Sequence, residues 1–304
     1  MKIRTAISPC PNDVFIFAGL IGGAVSAPGL EFSFAYHDLE TLNRDAQAGL
    51  WDAAKISYAN HAFCAEEYGL LRCGGALGRG CGPLLLSNRM GPAGAVLDPA
   101  DQVLVPGKHT TANFLLDFYI RYGFRDGRYG FRGDGHVLHD VTHASGPEGK
   151  ALRKTFLAFD ALYRQLLAPE SCQGVVIHEM RFTYAADGLH LVRDLGEFWE
   201  RTTGYPIPLG AVALRTRLEA ERPGLRGEVE QAIRDSLDWS YAHPEAALAL
   251  CRRHSQSMAD DVLKAHIDLY VNAFTRDIGA EGEAAVAYFL GQQRQSLSES
   301  GSAS

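Results

Sequence analysis

The 304-residue sequence lacks the signals of several common protein classes. It has no apolar run close to the roughly 20 residues that a membrane-spanning helix requires. It has no excess of basic residues either, because 29 Lys and Arg stand against 36 Asp and Glu, a formal net charge of −7. Nucleic-acid-binding proteins normally present a basic face. The composition therefore argues against a membrane protein and against a nucleic-acid partner.

Several sequence motifs are also missing. None of the six cysteines belongs to a CxxC pair, so we expect no zinc ribbon and no disulfide scaffold, and we expect the thiols to be reduced and mostly buried. The GxSxG, HExxH and Walker patterns are absent. The N-terminus reads as a strand and not as an export signal, which favours a cytoplasmic protein.

The sequence does contain a regular alternation of strand-like and helix-like segments. Strands are predicted over 2–8, 30–37 and 52–57, each followed by a helical segment. Asn12 or Asp13 is the predicted N-cap of the first helix, and Asp38 that of the second. This order predicts an α/β protein with mainly parallel sheets and helices on both faces.

The domain organisation is predicted from two changes in composition. A glycine-rich loop leads into an apolar strand that ends in polar and Gly/Pro-rich residues near 88, and the strand 206–215 reads as the return crossing. We therefore predict a discontinuous large lobe, 1–88 and 209–304, and a small lobe, 89–208, with a polar insertion around 125–150. A ligand cleft between two such lobes is typical of bilobed binding proteins.

Other elements complete this prediction. The small lobe is expected to contain a helix over 151–168 and strands over 173–178 and 189–195. The last ninety residues are expected to be helical, with Val229, Ile233, Leu237 and Tyr241 on one face, up to a disordered polar tail over 296–304.

Candidate site residues lie at the ends of the predicted strands, where parallel α/β sheets bind their ligands. They are Ser8, Asn12, Asp13, Lys55, Ser57, Lys108 to Thr111, and His178 to Arg181.

Three of these residues suit an anionic ligand. Thr110 and Thr111 open a helix, whose free N–H groups attract an anion, although an N-cap role alone would explain Thr110. Lys55 lies in a strand that should be nearly buried, and a buried lysine needs a partner. A bound carboxylate or a neighbouring Asp or Glu would satisfy it.

His178 is the candidate for proton transfer, since an imidazole at a strand end titrates near neutrality. A structural histidine beside a core strand is the alternative. His136, His139 and His143 have a spacing that could bind metal, but they lie in a polar loop, and we predict no metal site. His266 lies on an apolar helix face and is predicted to be a core histidine.

Seven blocks of the sequence resemble the 1,4-dihydroxy-6-naphthoate synthase family of menaquinone biosynthesis. In order they are SPCPNDVFIF, DLETLN, KISYA, GGALGRGCGPLLL, PGKHTTANFLL, VVIHEMRFTY and YVNAF. The resemblance as a whole reaches from residue 3 to about 290. The chorismate dehydratases of the same pathway share the fold but not the SPCPND block.

The resemblance implies a type II periplasmic-binding-protein-like fold and a lyase of the futalosine pathway. Such an enzyme converts cyclic dehypoxanthinylfutalosine into 1,4-dihydroxy-6-naphthoate and dihydroxyacetone without metal or organic cofactor. The implied general base is His178, and the implied substrate contacts are Lys55 to Ser57, Ile56 included, with Thr110 and Thr111. Met180 departs from the small polar residue expected after His-Glu, which would change the pocket wall.

Two alternatives follow from the same pattern. One is a chorismate dehydratase-like enzyme of the same fold that acts on a different carboxylate. The other is a non-catalytic protein that binds a small carboxylate, against which the missing export signal argues.

Overall fold

A computed structural model describes residues 1–90, 97, 102–125, 128–129, 152–170, 173–254 and 259–301. Thirteen strands are assigned within these residues: β1 Lys2–Ile7, β2 Glu31–Tyr36, β3 Ala53–Ser57, β4 Tyr68–Leu70, β5 Ala76–Gly78, β6 Leu84–Ser87, β7 Gln102–Val105, β8 Phe124–Arg125, β9 Arg128–Tyr129, β10 Arg153–Phe156, β11 Gln173–Val176, β12 His190–Asp194 and β13 Ile207–Arg215.

Twelve α-helices are assigned in the same part of the chain: α1 Pro11–Ile21, α2 Leu39–Gln47, α3 Thr111–Gly123, α4 Phe159–Leu166, α5 Met180–Thr183, α6 Leu195–Thr203, α7 Thr216–Glu221, α8 Leu225–Ala242, α9 Pro244–His254, α10 Asp260–Tyr270, α11 Ala273–Arg276 and α12 Gly279–Gly301. A 3₁₀ helix, Tyr58–Phe63, follows β3 where the sequence predicts a longer helical segment. Among the described helices, none combines the length and the apolar character needed to cross a bilayer.

The chain divides into two compact units. Unit 1 contains Met1–Gly78, His109–Thr111 and Pro208–Ser304, and unit 2 contains Arg79–Lys108 and Ala112–Ile207. The first boundary lies ten residues before the predicted one at 88, because β6 pairs with β11 and β12 of unit 2.

Unit 1 contains a six-stranded sheet in the order β2-β1-β3-β13-β4, with β5 paired to β13. The first three strands run parallel, and β13 runs antiparallel to β3 and β4. Helix α1 is buried along most of its length, because it packs against α8, α9 and α10 on this sheet. Its Val14 and Phe17 share a core with Val229, Ile233 and Leu237 of α8.

Unit 2 contains a five-stranded sheet in the order β10-β7-β11-β6-β12. Strand β7 runs parallel to β10 and β11, whereas β6 runs antiparallel to β11 and β12. Leu84, Leu104, Leu166 and Val176 pack in its core. The predicted α/β class, with helices on two sheets, is confirmed.

Two local predictions are wrong. The segment predicted as one helix over 151–168 begins as strand β10, because these residues pair in parallel with β7, and becomes helical only at Phe159. Helix α12 continues through the predicted disordered tail to Gly301. On the predicted apolar face of α8, Val229, Ile233 and Leu237 are buried, and the partly exposed Tyr241 packs its ring edge to face on Phe15 of the same core.

Candidate active site

The end of β1 and the start of α1 form the first part of the site. Helix α1 begins at Pro11 with Cys10 as its N-cap, so the prediction that Asn12 or Asp13 caps this helix is wrong. Proline suits the first helical position because its φ is already helical, and this starts the helix before Asn12. The side chain of Asp38, by contrast, accepts a hydrogen bond from Thr41 N at 3.0 Å and caps α2 as predicted.

Asp13 lies in the first turn of α1 and collects several donors. Its Oδ2 accepts hydrogen bonds from Ser8 Oγ at 2.7 Å and from Ser8 N at 3.4 Å, and its Oδ1 accepts one from Asn12 Nδ2 at 3.0 Å. A carboxylate at this end of a helix also interacts favourably with the helix dipole. The side chain of Asp13 is only 3% exposed, so these contacts are shielded from solvent.

Lys55 supplies the matching positive charge. Its Nζ lies 2.7 Å from Asp13 Oδ1 and donates to Gly74 O at 2.9 Å, and its side chain is 4% exposed. Of the two partners that the sequence allowed for this lysine, the structure shows the neighbouring aspartate. The pair links α1 to β3, and β1, which precedes this helix, is the parallel neighbour of β3 in the sheet.

Ser57, the last residue of β3, is held by an asparagine that the sequence analysis did not select. Asn43 Oδ1 accepts from Ser57 N at 2.9 Å, and Asn43 Nδ2 donates to Ser57 Oγ at 3.1 Å and to His109 O at 3.3 Å. The signal for Asn43 was its place in the DLETLN block. The side chain of Ile56 points into an apolar cluster and is fully buried, which leaves only its backbone for a ligand.

The residues that open α3 are anchored to unit 1. His109 makes two contacts with the carboxylate of Glu40: its backbone N donates to Oε2 at 3.2 Å, and its Nδ1 lies 3.0 Å from Oε1. Thr111 Oγ1 donates to Leu209 O at 2.9 Å. Both Thr110 and Thr111 are almost fully buried. The structure thus brings these threonines into the same unit as Asn12, Asp13, Lys55 and Ser57.

His178 lies in unit 2, two residues after the end of β11. Its φ is +57°, and no other described non-glycine residue has a positive φ. Its ring meets the ring of Phe159 edge to face, with centroids 5.0 Å apart. Met180, which stands where the family resemblance implies a small polar residue, packs against the apolar core of unit 2.

His266 is buried at 1% exposure, as predicted for a core histidine. Its Nε2 lies 3.0 Å from Asn12 Oδ1, and its ring packs on Tyr270. The sequence could not predict this contact with Asn12, because the two residues are 254 positions apart.

Metal and thiol chemistry find little support in the described residues. His136, His139 and His143 lie outside them, and so do Cys172 and the whole 130–150 part of the predicted insertion. Within the described ranges, no group of three or more His, Cys, Asp or Glu side chains is placed to hold a metal ion. Burial raises the pKa of Cys64 to about 11 and that of Cys73, Cys81 and Cys251 to about 12, which makes these thiols poor nucleophiles.

The two units, each a sheet covered by helices, define a protein of the periplasmic-binding-protein fold. A Candida albicans protein described as having this generic fold superposes with a TM-score of 0.60 at 11% identity, covering 95% of this chain and 90% of its own. The crystal structure of AF1704 from Archaeoglobus fulgidus gives a TM-score of 0.80 at 27% identity, covering 98% of both chains.

Sequence comparison gives the family. A family model described as menaquinone biosynthesis matches residues 3–127 and 150–295. A 1,4-dihydroxy-6-naphthoate synthase of Thermus thermophilus is 41% identical over 285 residues, which cover 94% of this chain and 91% of the relative. The chain therefore belongs to the 1,4-dihydroxy-6-naphthoate synthase family of menaquinone biosynthesis, and the resemblance noted in the sequence is confirmed.

Proposed function

We propose that this enzyme is a carbon–carbon lyase that converts cyclic dehypoxanthinylfutalosine into 1,4-dihydroxy-6-naphthoate and dihydroxyacetone, with His178 as the general base. The family membership supports the product. The observation that carries the role of His178 is its left-handed backbone at the end of a buried strand.

A left-handed conformation costs a residue other than glycine about 1–2 kcal/mol. Such strain persists only where the surrounding structure enforces it, and strained residues cluster at functional sites. An imidazole changes its protonation state near neutral pH, which suits a group that removes a proton at pH 7. Strain and chemistry together favour a catalytic role for His178 over a structural one.

The rest of the reaction needs binding and orientation more than further chemistry. Cleavage of the carbon–carbon bond is coupled to formation of an aromatic ring, which supplies much of the driving force. One well-placed base and a fixed substrate can then suffice. This proposal requires no metal and no organic cofactor.

The carboxylate of the substrate needs an anion site, and we assign it to the residues that open α3. Lys55 is engaged by Asp13 at 2.7 Å, so its charge is already compensated inside unit 1. The hydroxyl of Thr111 donates its proton to Leu209 O. The contribution of Thr110 and Thr111 to anion binding then comes chiefly from backbone N–H groups at the positive end of the helix.

The role of His178 is tested by its replacement. His178→Ala should lower kcat by about 10²–10⁴-fold, the usual contribution of a general base, and should leave the substrate Kd measured by calorimetry nearly unchanged. His178→Gly should behave in the same way, and added imidazole should restore part of its activity. His243→Ala, which removes an exposed histidine from α8's end, is the matched control.

Retention of wild-type kcat by both His178 variants would rule out the general-base assignment. Turnover of chorismate by the wild-type enzyme, with no turnover of cyclic dehypoxanthinylfutalosine, would instead favour the dehydratase alternative.

A further inference from the structure

The short helix α5, which follows His178, is held on two sides. Met180 packs into the apolar core of unit 2. Arg181 reaches in another direction, where its Nη1 donates to Gly82 O and its Nη2 lies 2.6 Å from Asp194 Oδ2. The side chains of Arg181 and Asp194 are only 17% and 15% exposed, so this ion pair is shielded from solvent on most sides.

Both partners of Arg181 lie where the loop before β6 packs against the start of α6. Asp194 caps α6, because its Oδ1 accepts hydrogen bonds from Gly196 N at 2.9 Å and Glu197 N at 3.0 Å while Oδ2 binds Arg181. The backbones of Gly82 and Gly196 are in direct contact, since a Cβ added to Gly82 would lie 2.3 Å from Gly196 Cα. The guanidinium group therefore binds two segments whose backbones are in direct contact with each other.

The contacts of Arg181 lie close to His178, the residue with the left-handed backbone. Arg181 N donates to His178 O at 3.3 Å and closes the turn that contains His178. Because the left-handed backbone of His178 is unfavourable by itself, neighbouring contacts must hold it. Arg181 has the geometry to do so. Its backbone N–H donates a hydrogen bond within the turn, and its guanidinium group binds Gly82 O and the carboxylate of Asp194.

We propose that Arg181 is a positioning residue for His178. Through its hydrogen bonds to Asp194 and to the carbonyl of Gly82, Arg181 fixes the direction of the His178 imidazole. The proposal rests on the assignment of His178 as the general base. A planar guanidinium suits this role better than an ammonium, because two of its N–H groups can bind two acceptors at fixed angles.

A purely structural ion pair would give a different result from a positioning pair. Loss of a structural pair lowers the stability and the fraction of folded enzyme, while each folded molecule keeps its kcat. Loss of a positioning pair lowers the kcat of folded enzyme and leaves KM almost unchanged, since misplacement of about 1 Å can cost up to 10²-fold in rate.

The experiment compares Arg181→Met, Arg181→Lys and Asp194→Asn with Arg201→Met, which removes an exposed arginine that pairs with Glu197 on the same unit. Asparagine can still cap α6 but loses the charge that binds Arg181. We expect kcat to fall about 10–100-fold in Arg181→Met and less in Arg181→Lys and Asp194→Asn, with KM within twofold of wild type. The Arg201→Met control should keep wild-type kcat.

A double variant makes the coupling explicit. If Arg181 acts through His178, then the kcat of His178→Ala/Arg181→Met should equal that of His178→Ala alone, because without the imidazole Arg181 has no catalytic group to position. The side-chain ¹H–¹⁵N signals of His178 should also shift or broaden in Arg181→Met. Losses that multiply in the double variant, or unchanged His178 signals, would overturn the proposal.

The two proposals can fail separately. Full activity of His178→Ala would remove the general base itself. An inactive His178→Ala together with a fully active Arg181→Met would leave the base in place and overturn only the role of Arg181. If Arg181→Met does not fold, Asp194→Asn decides, and wild-type kcat in that variant would also overturn the proposal.

Discussion

At the scale of single residues, the buried pair of Lys55 and Asp13 shows how far sequence reasoning reaches. A lysine inside an apolar strand could be recognised as needing a partner. The identity of that partner depended on the parallel pairing of β1 and β3, which brings residues 42 positions apart into contact at 2.7 Å. The same is true of Asn43 and His266, whose roles depend on partners distant in sequence.

Removal of one charge from this pair should strongly destabilise unit 1. Either Asp13→Asn or Lys55→Met leaves the other group buried without its counter-ion, which typically costs about 3–5 kcal/mol. The free energy of unfolding from urea titration measures this loss. Glu197→Gln, which breaks an exposed ion pair with Arg201, should change stability by less than about 1 kcal/mol.

The double variant Asp13→Asn/Lys55→Met provides the check on this reasoning. It should lose clearly less stability than the sum of the two single variants, because neither buried charge remains unpaired. Additive losses would contradict a direct interaction between the two side chains.

At the scale of helices and strands, tertiary pairing overrode local preference at 151–168. Most residues of this segment are good helix formers, and their apolar spacing predicts a helix. Arg153–Phe156 nevertheless becomes a strand, because it extends the unit 2 sheet beside β7. The start of α1 was misplaced for a local reason, since Pro11 initiates the helix and leaves Asn12 and Asp13 in its first turn.

The contact between the loop before β6 and the start of α6 should tolerate no side chain. In Gly196→Ala the added Cβ would lie 2.6 Å from Gly82 Cα, and backbone atoms on both sides cannot move away cheaply. We expect Gly82→Ala and Gly196→Ala each to destabilise by about 1–3 kcal/mol.

An exposed helical glycine serves as the control for both variants. A Cβ at Gly227 of α8 meets nothing within 4 Å, so Gly227→Ala should stabilise the protein by about 0.5–1 kcal/mol. Urea titration of the three variants gives the comparison. Equal effects at all three glycines would contradict the close approach of the two segments.

The junction of β1 and β3 should show a defined pH dependence. Burial opposes ionisation of Asp52, but hydrogen bonds and charge from Arg4 outweigh it and hold the pKa of this carboxyl below its ordinary 3.8. A lowered carboxyl pKa stabilises the folded state above pH about 4. That contribution disappears as the pH falls through the lowered value.

Asp52→Asn tests this dependence. The variant should be less stable than wild type by a constant amount between pH 5 and 7, and the difference should shrink below pH about 4. A difference that grew on acidification would contradict the lowered pKa.

At the scale of the whole molecule, the alternation of strands and helices was enough to predict the α/β class, and two changes in composition predicted a chain that returns to its first unit. The sequence could not show that β6 belongs to the second sheet, because a buried apolar strand of this kind can pair on either side. The family blocks, and not composition or periodicity, led to the specific chemistry. The structure shows contacts between residues of different blocks, such as Asp13 with Lys55 and Asn43 with Ser57.

The measurement that tests the central claim most directly is product analysis after the purified protein is incubated with cyclic dehypoxanthinylfutalosine. The proposed lyase predicts that 1,4-dihydroxy-6-naphthoate, followed by its absorbance, and dihydroxyacetone appear in equal amounts with multiple turnovers, and that His178→Ala forms both about 10²–10⁴-fold more slowly. Recovery of the substrate unchanged, or naphthoate formation at the wild-type rate by His178→Ala, would contradict it.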